Sequence, residues 1–251
     1  VTLLIADDLG HPLPLANPPR RVVSLVPSLT EALAATVPDR LIAVTEWCTH
    51  PPGLDLPRVR GTKNPDRSAI EALKPDLVVA NQEENRRLDV ERLRAAGVPV
   101  WVTAIESLDD ALRSMRRLFA EVLAVDEPPW LRTAVVEWQK PAPHPRRTVA
   151  VPIWRDPWMV VGARTFTGDL LSRLGLDNVF ASAPDRYPRV ELDDIRAHCV
   201  LLPDEPYVFT PDDGPEAFPG IRTVLVPGRQ LTWYGPSLAT ARDDLLALVD
   251  R

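Results

Sequence analysis

Arg20-Arg21-Val22-Val23-Ser24-Leu25-Val26-Pro27 is the stretch on which the fold turns, because the chain writes it twice. Two arginines lead into an apolar run that stops at a proline, and a helix-like pattern follows from Thr30. In the second half, Arg146-Arg147-Thr148-Val149-Ala150-Val151-Pro152 does the same, with a helix-like pattern from Thr167. Two further echoes keep nearly the same offset. Residues 73–84 (LKPDLVVANQEE) and 195–205 (IRAHCVLLPDE) each read as an apolar strand ending in acids, and 97–102 and 220–226 as glycine-led strands. Three echoes in register, about half a chain apart, are too long a period for a solenoid. They predict an α/β fold of two similar lobes with central, mostly parallel sheets, joined by a single interdomain helix, with a ligand cleft between the lobes. The reading divides the chain into an N-terminal lobe (1–125), a connecting helix (126–145) and a C-terminal lobe (146–251).

Composition sets bounds around that reading. A chain of 251 residues, 45% hydrophobic and 25% charged, buries a real core and is not disordered. Its net charge of -6 argues against a nucleic-acid partner, which needs a clustered basic face. Only Lys63, Lys74 and Lys140 are lysines, and with 28 prolines this reads as codon bias. Cys48 and Cys199 lie in opposite halves with no Cys-x-x-Cys spacing, so two free thiols are expected. No apolar run approaches the length that spans a bilayer, and a monomer is expected. No secretory leader is legible at the N-terminus, which keeps a cytoplasmic location open.

Between the echoes, residues 2–15 read as a hairpin around Asp7-Asp8-Leu9-Gly10. Ser28 and Glu31 stand in capping-box spacing. Helices are expected at 68–73, 90–96, 108–122, 130–140 and 238–249, the fourth with proline pre-set for its first turn. Alternating βα units give parallel sheets, and ligands sit beyond the carboxyl ends of their strands. Four of the seven tryptophans (Trp47, Trp154, Trp158, Trp233) and two of the three tyrosines (Tyr207, Tyr234) fall in those tips. Tips are normally polar, so aromatic ones point to a large, flat, partly apolar ligand.

At these residues the chain resembles the class III extracytoplasmic (periplasmic or surface-anchored) substrate-binding proteins of ABC importers. These are the helical-backbone metal receptors for cobalamin, ferric siderophores and haem. The resemblance rests on the Asp7-Asp8-Leu9-Gly10 hairpin, RVVSLVPSLTEAL (21–33), the aromatic tip before Pro51-Pro52 and GTKNP (61–65). It continues through LKPDLVVAN (73–81), AAGVPV (95–100) and TFTGDLLSRLGLDNVF (165–180), in order over nearly the whole chain. It implies two lobes on a stiff helix, an extracytoplasmic location and transport with an ABC permease. In the family, a surface acid on each lobe docks the permease. Asp193 supplies the second here, whereas Ser68 stands where the first would fall.

The expected function is therefore non-catalytic binding of a corrinoid or similar cobalt or iron chelate, with no cofactor of the protein's own. Trp47, Trp154, Trp158 and Trp233 would stack on it, and His50, Asn81, Glu83, Arg155, Tyr207 and Tyr234 would meet its rim. The alternatives are a ferric-siderophore or haem binder, and a cytosolic metal-chelate carrier or regulator with no permease. Glu46, Cys48 and His50 alternate and in an extended tip would face one way, as ligands to a soft metal would, against the plainer reading of a tip packed by Trp47 and the prolines. Asn81 and Glu83 read equally as a solvated turn, and Arg155 as either an anion clamp or a salt bridge between lobes. An enzyme is not expected: Val26-Pro27-Ser28-Leu29-Thr30 lacks the glycines of a nucleophile elbow, and no glycine-rich phosphate loop occurs.

Overall fold

Leu77–Asn81 is apolar almost without break and forms a strand buried at every position. Such a strand needs cover on both faces, which a parallel sheet between helices supplies. The structure, a computed structural model, describes residues 3–250. Thr2, where the expected hairpin opens, lies outside the described residues. By backbone proximity the chain divides into two compact units. Unit 1 runs to Ile105, resumes at Asp110–Arg132 and adds Tyr234–Pro236. Unit 2 holds Glu106–Asp109, Thr133–Trp233 and the chain from Ser237 onward.

The first half of the chain runs β1 (Leu3–Ala6), β2 (Pro12–Leu15), β3 (Val22–Ser24), α1 (Pro27–Thr36), β4 (Leu41–Val44), β5 (Arg60–Gly61) and β6 (Asn64–Pro65). It continues with α2 (Arg67–Ala72), β7 (Leu77–Asn81), α3 (Arg87–Ala95), β8 (Val100–Thr103) and α4 (Leu108–Arg117). The division between units falls inside α5 (Pro129–Trp138). Then come β9 (Arg147–Ala150), β10 (Pro152–Trp154), β11 (Met159–Val160), α6 (Phe166–Arg173), β12 (Leu176–Asn178), β13 (Cys199–Pro203), β14 (Arg222–Val226), α7 (Gly228–Thr232) and α8 (Leu238–Val249).

The repeat is the topology. Unit 1 has a four-stranded sheet in the order β4-β3-β7-β8 and unit 2 one in the order β12-β9-β13-β14, every pair parallel. In each, the first strand of the unit's sheet lies between the second and the third. The three sequence echoes are β3 with β9, β7 with β13 and β8 with β14. Val23, Val78, Ala80, Val100 and Val102 alternate onto one face of the first sheet and pack with Ile70 of α2 and Val90 and Leu93 of α3. In unit 2, Ala150, Val160, Val200 and Leu202 pack with Ile195, Phe209 and Phe218.

Helix starts depart from expectation for local reasons. Pro27 opens α1 directly after extended Val26, its fixed φ already helical, so Ser28 lies inside the first turn and forms no side-chain cap. Phe166, not Thr167, opens α6, because Thr165 Oγ1 accepts the Gly168 N–H at 3.0 Å. Asp66 caps α2 through Ala69 N in the same way, at 3.0 Å. The helix α3 starts at Arg87, earlier than Val90, and ends at Ala95 two residues before Gly97, whose φ of +82° is the left-handed turn that stops a helix. The α5 helix stops at Trp138, short of Lys140, as the run of prolines from Pro141 approaches.

The N-terminal hairpin is fastened to unit 1 by two adjacent acids. The Asp7 side chain is fully buried; its Oδ1 accepts from Leu9 N and His11 N, and its Oδ2 from Arg94 Nη2 at 2.5 Å. Asp8 accepts from Ser114 and Arg117 of α4. Replacing Asp7 by alanine strands the mostly buried Arg94 guanidinium and three backbone donors, those of Leu9, His11 and Val102. Chemical denaturation is expected to show a loss of about 3 kcal/mol or more. A loss below about 1 kcal/mol, the range of exposed pairs, would contradict the assignment.

Candidate ligand-binding site

At the carboxyl ends of the first sheet, two asparagines build the turn after β7. Asn81, buried, donates through Nδ2 to the Thr103 carbonyl and hydroxyl, and its Oδ1 accepts from the backbone of Glu83 and Glu84. Asn85 accepts from Asn81 N and donates to the carbonyls of Leu25 and Thr62. Both ends of the Asn81 amide are occupied, so it shapes the turn from below instead of meeting a ligand, as the sequence had led us to expect. What the turn presents is exposed Glu83, whose carbonyl accepts from Lys63, and half-buried Glu84. Burial pushes the Glu84 carboxyl up; Lys63 opposes the rise and Glu83 adds to it. Tyr234 also belongs to unit 1 and is buried, its hydroxyl among Ser28, Thr103 and the charges of Glu84 and Glu83. Burial raises that phenol too. It is packed within the unit rather than displayed on a tip.

The loop after β4 is held by one side chain. Arg58 donates through Nη1 to the carbonyls of Thr45 and Cys48, and through Nη2 to that of Leu54. This clip turns Trp47 outward, where it is 66% exposed and its indole lies against Gly61. A methyl at Gly61 would come within 3.1 Å of the indole Nε1 and 2.6 Å of Asn64 Oδ1, so a larger residue there would make both side chains shift. Cys48 turns the other way, fully buried against the Thr30 and Thr45 hydroxyls at 3.0 and 3.1 Å, and burial pushes its thiol up. Both cysteines are free. Glu46 is exposed and His50 half-buried, with Nδ1 3.2 Å from the Thr49 hydroxyl. The alternation of Glu46, Cys48 and His50 thus fails to gather them, because 45–48 is a turn and not a strand. Among the described residues no group of three such side chains is placed to hold a metal ion.

The second sheet ends in an aromatic ladder. Trp154, 45% exposed, meets the edge of Tyr207 at 5.7 Å between ring centroids. Tyr207 leans on Phe209 at 4.7 Å, and Phe209 stacks on Trp158 at 6.0 Å with ring planes 3° apart. Phe218 closes the series edge-on to Trp158 at 5.3 Å. The lower rungs belong to the unit 2 core, so Trp154 is the exposed end of a rigid stack. Arg155 lies over Trp158 at 5.2 Å, and its Nη1 donates to the carboxylates of Asp213 and Glu216. The Tyr207 hydroxyl donates to Asp213 Oδ2 at 2.6 Å. The salt bridge of Arg155 is therefore internal to unit 2 and does not run between lobes.

The structure brings Trp154, Arg155, Trp158 and Tyr207 together and leaves Trp233, 7% exposed, within the fold. Sequence reading missed Phe209, Phe218, Asp213 and Glu216. The available signal was the run Phe209-Thr210-Pro211-Asp212-Asp213-Gly214, an aromatic leading into a turn rich in acids.

No family model matches the chain. Over 189 residues it is 29% identical to the vitamin B12-binding protein of Pectobacterium carotovorum, covering 70% of this chain and 67% of that one. The crystal structure of the periplasmic vitamin B12 binding protein BtuF of Vibrio cholerae superposes with a TM-score of 0.74 at 18% identity, covering 93% of this chain and 97% of that one. The periplasmic heme-binding protein RhuT from Roseiflexus superposes with a TM-score of 0.76 at 20% identity, over 91% and 97%. The fold is that of these binding proteins, and the resemblance read from the sequence holds.

Two outcomes test the first unit. Removing the Arg58 guanidinium in Arg58→Ala loses three hydrogen bonds from a charged donor, about 1.5–3 kcal/mol each. Cys48 is then expected to react with a thiol reagent at least about tenfold faster under native conditions, because the loop opens more often; an unchanged rate would refute the clip. For Glu84, a pKa raised in the folded state means tighter proton binding there. Stability therefore falls as pH climbs from the ordinary carboxylate range through the raised value. Glu84→Gln removes that fall, so its melting temperature should gain on the parent between about pH 4 and about pH 7. A pH-independent difference would show the carboxyl to be unstrained.

Proposed function

We propose that this chain, built on the fold of the class III substrate-binding proteins, binds a corrinoid or a similar flat metal chelate. It does so without chemistry, outside the cytoplasm, and hands the ligand to an ABC permease. The observation that carries the reading is the ladder Trp154–Tyr207–Phe209–Trp158, which ends in an exposed indole backed by core aromatics. A ring system laid on Trp154 buries apolar area on a surface that is already ordered, so little conformational freedom is lost on binding. Trp47, seated on Gly61 and exposed, offers unit 1 a similar indole.

The likeness to vitamin B12-binding proteins over 70% of the chain supports the corrinoid. A haem or ferric-siderophore ligand is the second reading, supported by the fold shared with a heme-binding protein. For permease docking, Asp193 stands exposed on the turn Leu192–Asp194 beside exposed Asp194, whereas exposed Ser68 offers no charge in the first turn of α2. No helix among the described residues is long and apolar enough to cross a membrane.

Cyanocobalamin is expected to quench tryptophan fluorescence with a micromolar or tighter Kd. Trp154→Ala should weaken it by about tenfold, the loss of one stacked aromatic at about 1.5 kcal/mol, and Arg155→Ala by less. Absence of quenching at micromolar cyanocobalamin, with saturable quenching by haem or a ferric siderophore, would replace the corrinoid with the second reading.

A further inference from the structure

Arg155 is the guanidinium that stands at the aromatic surface, and the question is what it leaves for a ligand. Its Nη1 is shared by the carboxylates of Asp213 and Glu216, and its Nε lies 3.8 Å from Asp156 Oδ2. One positive charge against three negative leaves this cluster of four side chains a net charge of -2. The Tyr207 hydroxyl on the ladder already donates to Asp213. Hydrogen bonds from Tyr207 and Arg155 hold the Asp213 carboxyl below its ordinary range, and those from Arg155 and the Gly214 N–H do so for Glu216. Both acids therefore stay ionised at neutral pH.

An anionic rim group arriving at Arg155 meets a cation already shared between two carboxylates. Any anion that reaches Arg155 comes up beside the Asp213 and Glu216 carboxylates, like charges that the guanidinium balances only in part. A rim of amides or cations meets acceptors instead. We infer that Asp213 and Glu216 are specificity-determining residues: by occupying Arg155 they make the aromatic surface of unit 2 select flat chelates with amide or cationic rims and reject carboxylate-bearing ones. The inference rests on the proposed binding role and narrows it, since a haem with free carboxylates falls among the rejected ligands.

The test uses the full chain and two matched pairs of probes, read by fluorescence quenching. Dicyanocobinamide and dicyanocobyrinic acid heptacarboxylate share a corrin ring and differ in amide against carboxylate rims. Zinc tetra(N-methylpyridyl)porphyrin and zinc tetra(carboxyphenyl)porphyrin give the same contrast without a corrin. The amide corrin is expected to bind at least about thirtyfold more tightly than the heptacarboxylate, as like-charge juxtaposition requires. Added salt should weaken the cationic porphyrin and tighten the anionic one. Glu216→Gln, which leaves the Tyr207–Asp213 contact intact, should compress both ratios, and Asp213→Asn with Glu216→Gln more so. Equal or tighter binding of the anionic member, or ratios unmoved in Glu216→Gln, overturns the inference. Corrins that bind without regard to rim charge leave the corrinoid reading standing and remove the filter. Charge-ordered porphyrins with no corrin bound do the reverse, and no binding by any probe removes both.

Discussion

The third strand of each sheet, β7 in unit 1 and β13 in unit 2, is buried at all five positions. Everything else in the two units answers to that constraint. A strand with no exposed side chain has none to give to recognition, so chemistry that distinguishes one ligand from another is pushed to the strand ends. Because all strands of a sheet run parallel, those ends collect on one edge. The two halves agree where burial dictates the residue type and diverge where it stops doing so.

The two edges are finished in different ways. In unit 1 the turn after β7 is held by amides: Asn81 and Asn85 between them satisfy donors and acceptors from Leu25 just after β3, from β8 and from the β5–β6 turn. That network has no net charge, and its worth lies in leaving no buried polar group unmatched. In unit 2 the corresponding edge is held by aromatic packing, with Arg155, Asp213 and Glu216 at its margin. Arg155 and Asp213 are half-buried and Glu216 is exposed, so their pairing adds only modestly to folding. Their effect falls on what binds there.

The fold was legible because burial writes a periodic signal: LVVAN and CVLLP announce strands covered on both faces, and the echo of β3 in β9 announces a second sheet. The hairpin at Asp7-Asp8-Leu9-Gly10 was legible from turn chemistry, and α8 from its apolar spacing. The edges were only half legible. Trp154, Arg155, Trp158 and Tyr207 are marked by residue type at a predicted strand end. Their partners Asp213 and Glu216 are not, since they lie 58 and 61 residues from Arg155 in sequence. Asn81 was misread for a general reason. A polar residue at a strand end looks the same whether its amide faces solvent or the turn beneath it, and only the positions of Thr103 and of the Glu83 and Glu84 N–H groups decide which. Glu46, Cys48 and His50 failed likewise, because alternation has meaning only in extended backbone, and the Arg58 clip makes that backbone turn.

Each compact unit also takes a short segment from the other's stretch of chain: Tyr234–Pro236 completes unit 1, and Glu106–Asp109 completes unit 2. Gly235 lies where a methyl would sit 2.9 Å from the Ser28 carbonyl, so the late segment is closely fitted and not merely adjacent. During synthesis, then, unit 1 emerges from the ribosome long before its last piece exists. Contacts that join Ser28 to Gly235 give it a high contact order, and loop closure of that span has to precede them. Its final packing therefore waits for that late segment, and a gene cut within α5 would not separate two self-sufficient folding units.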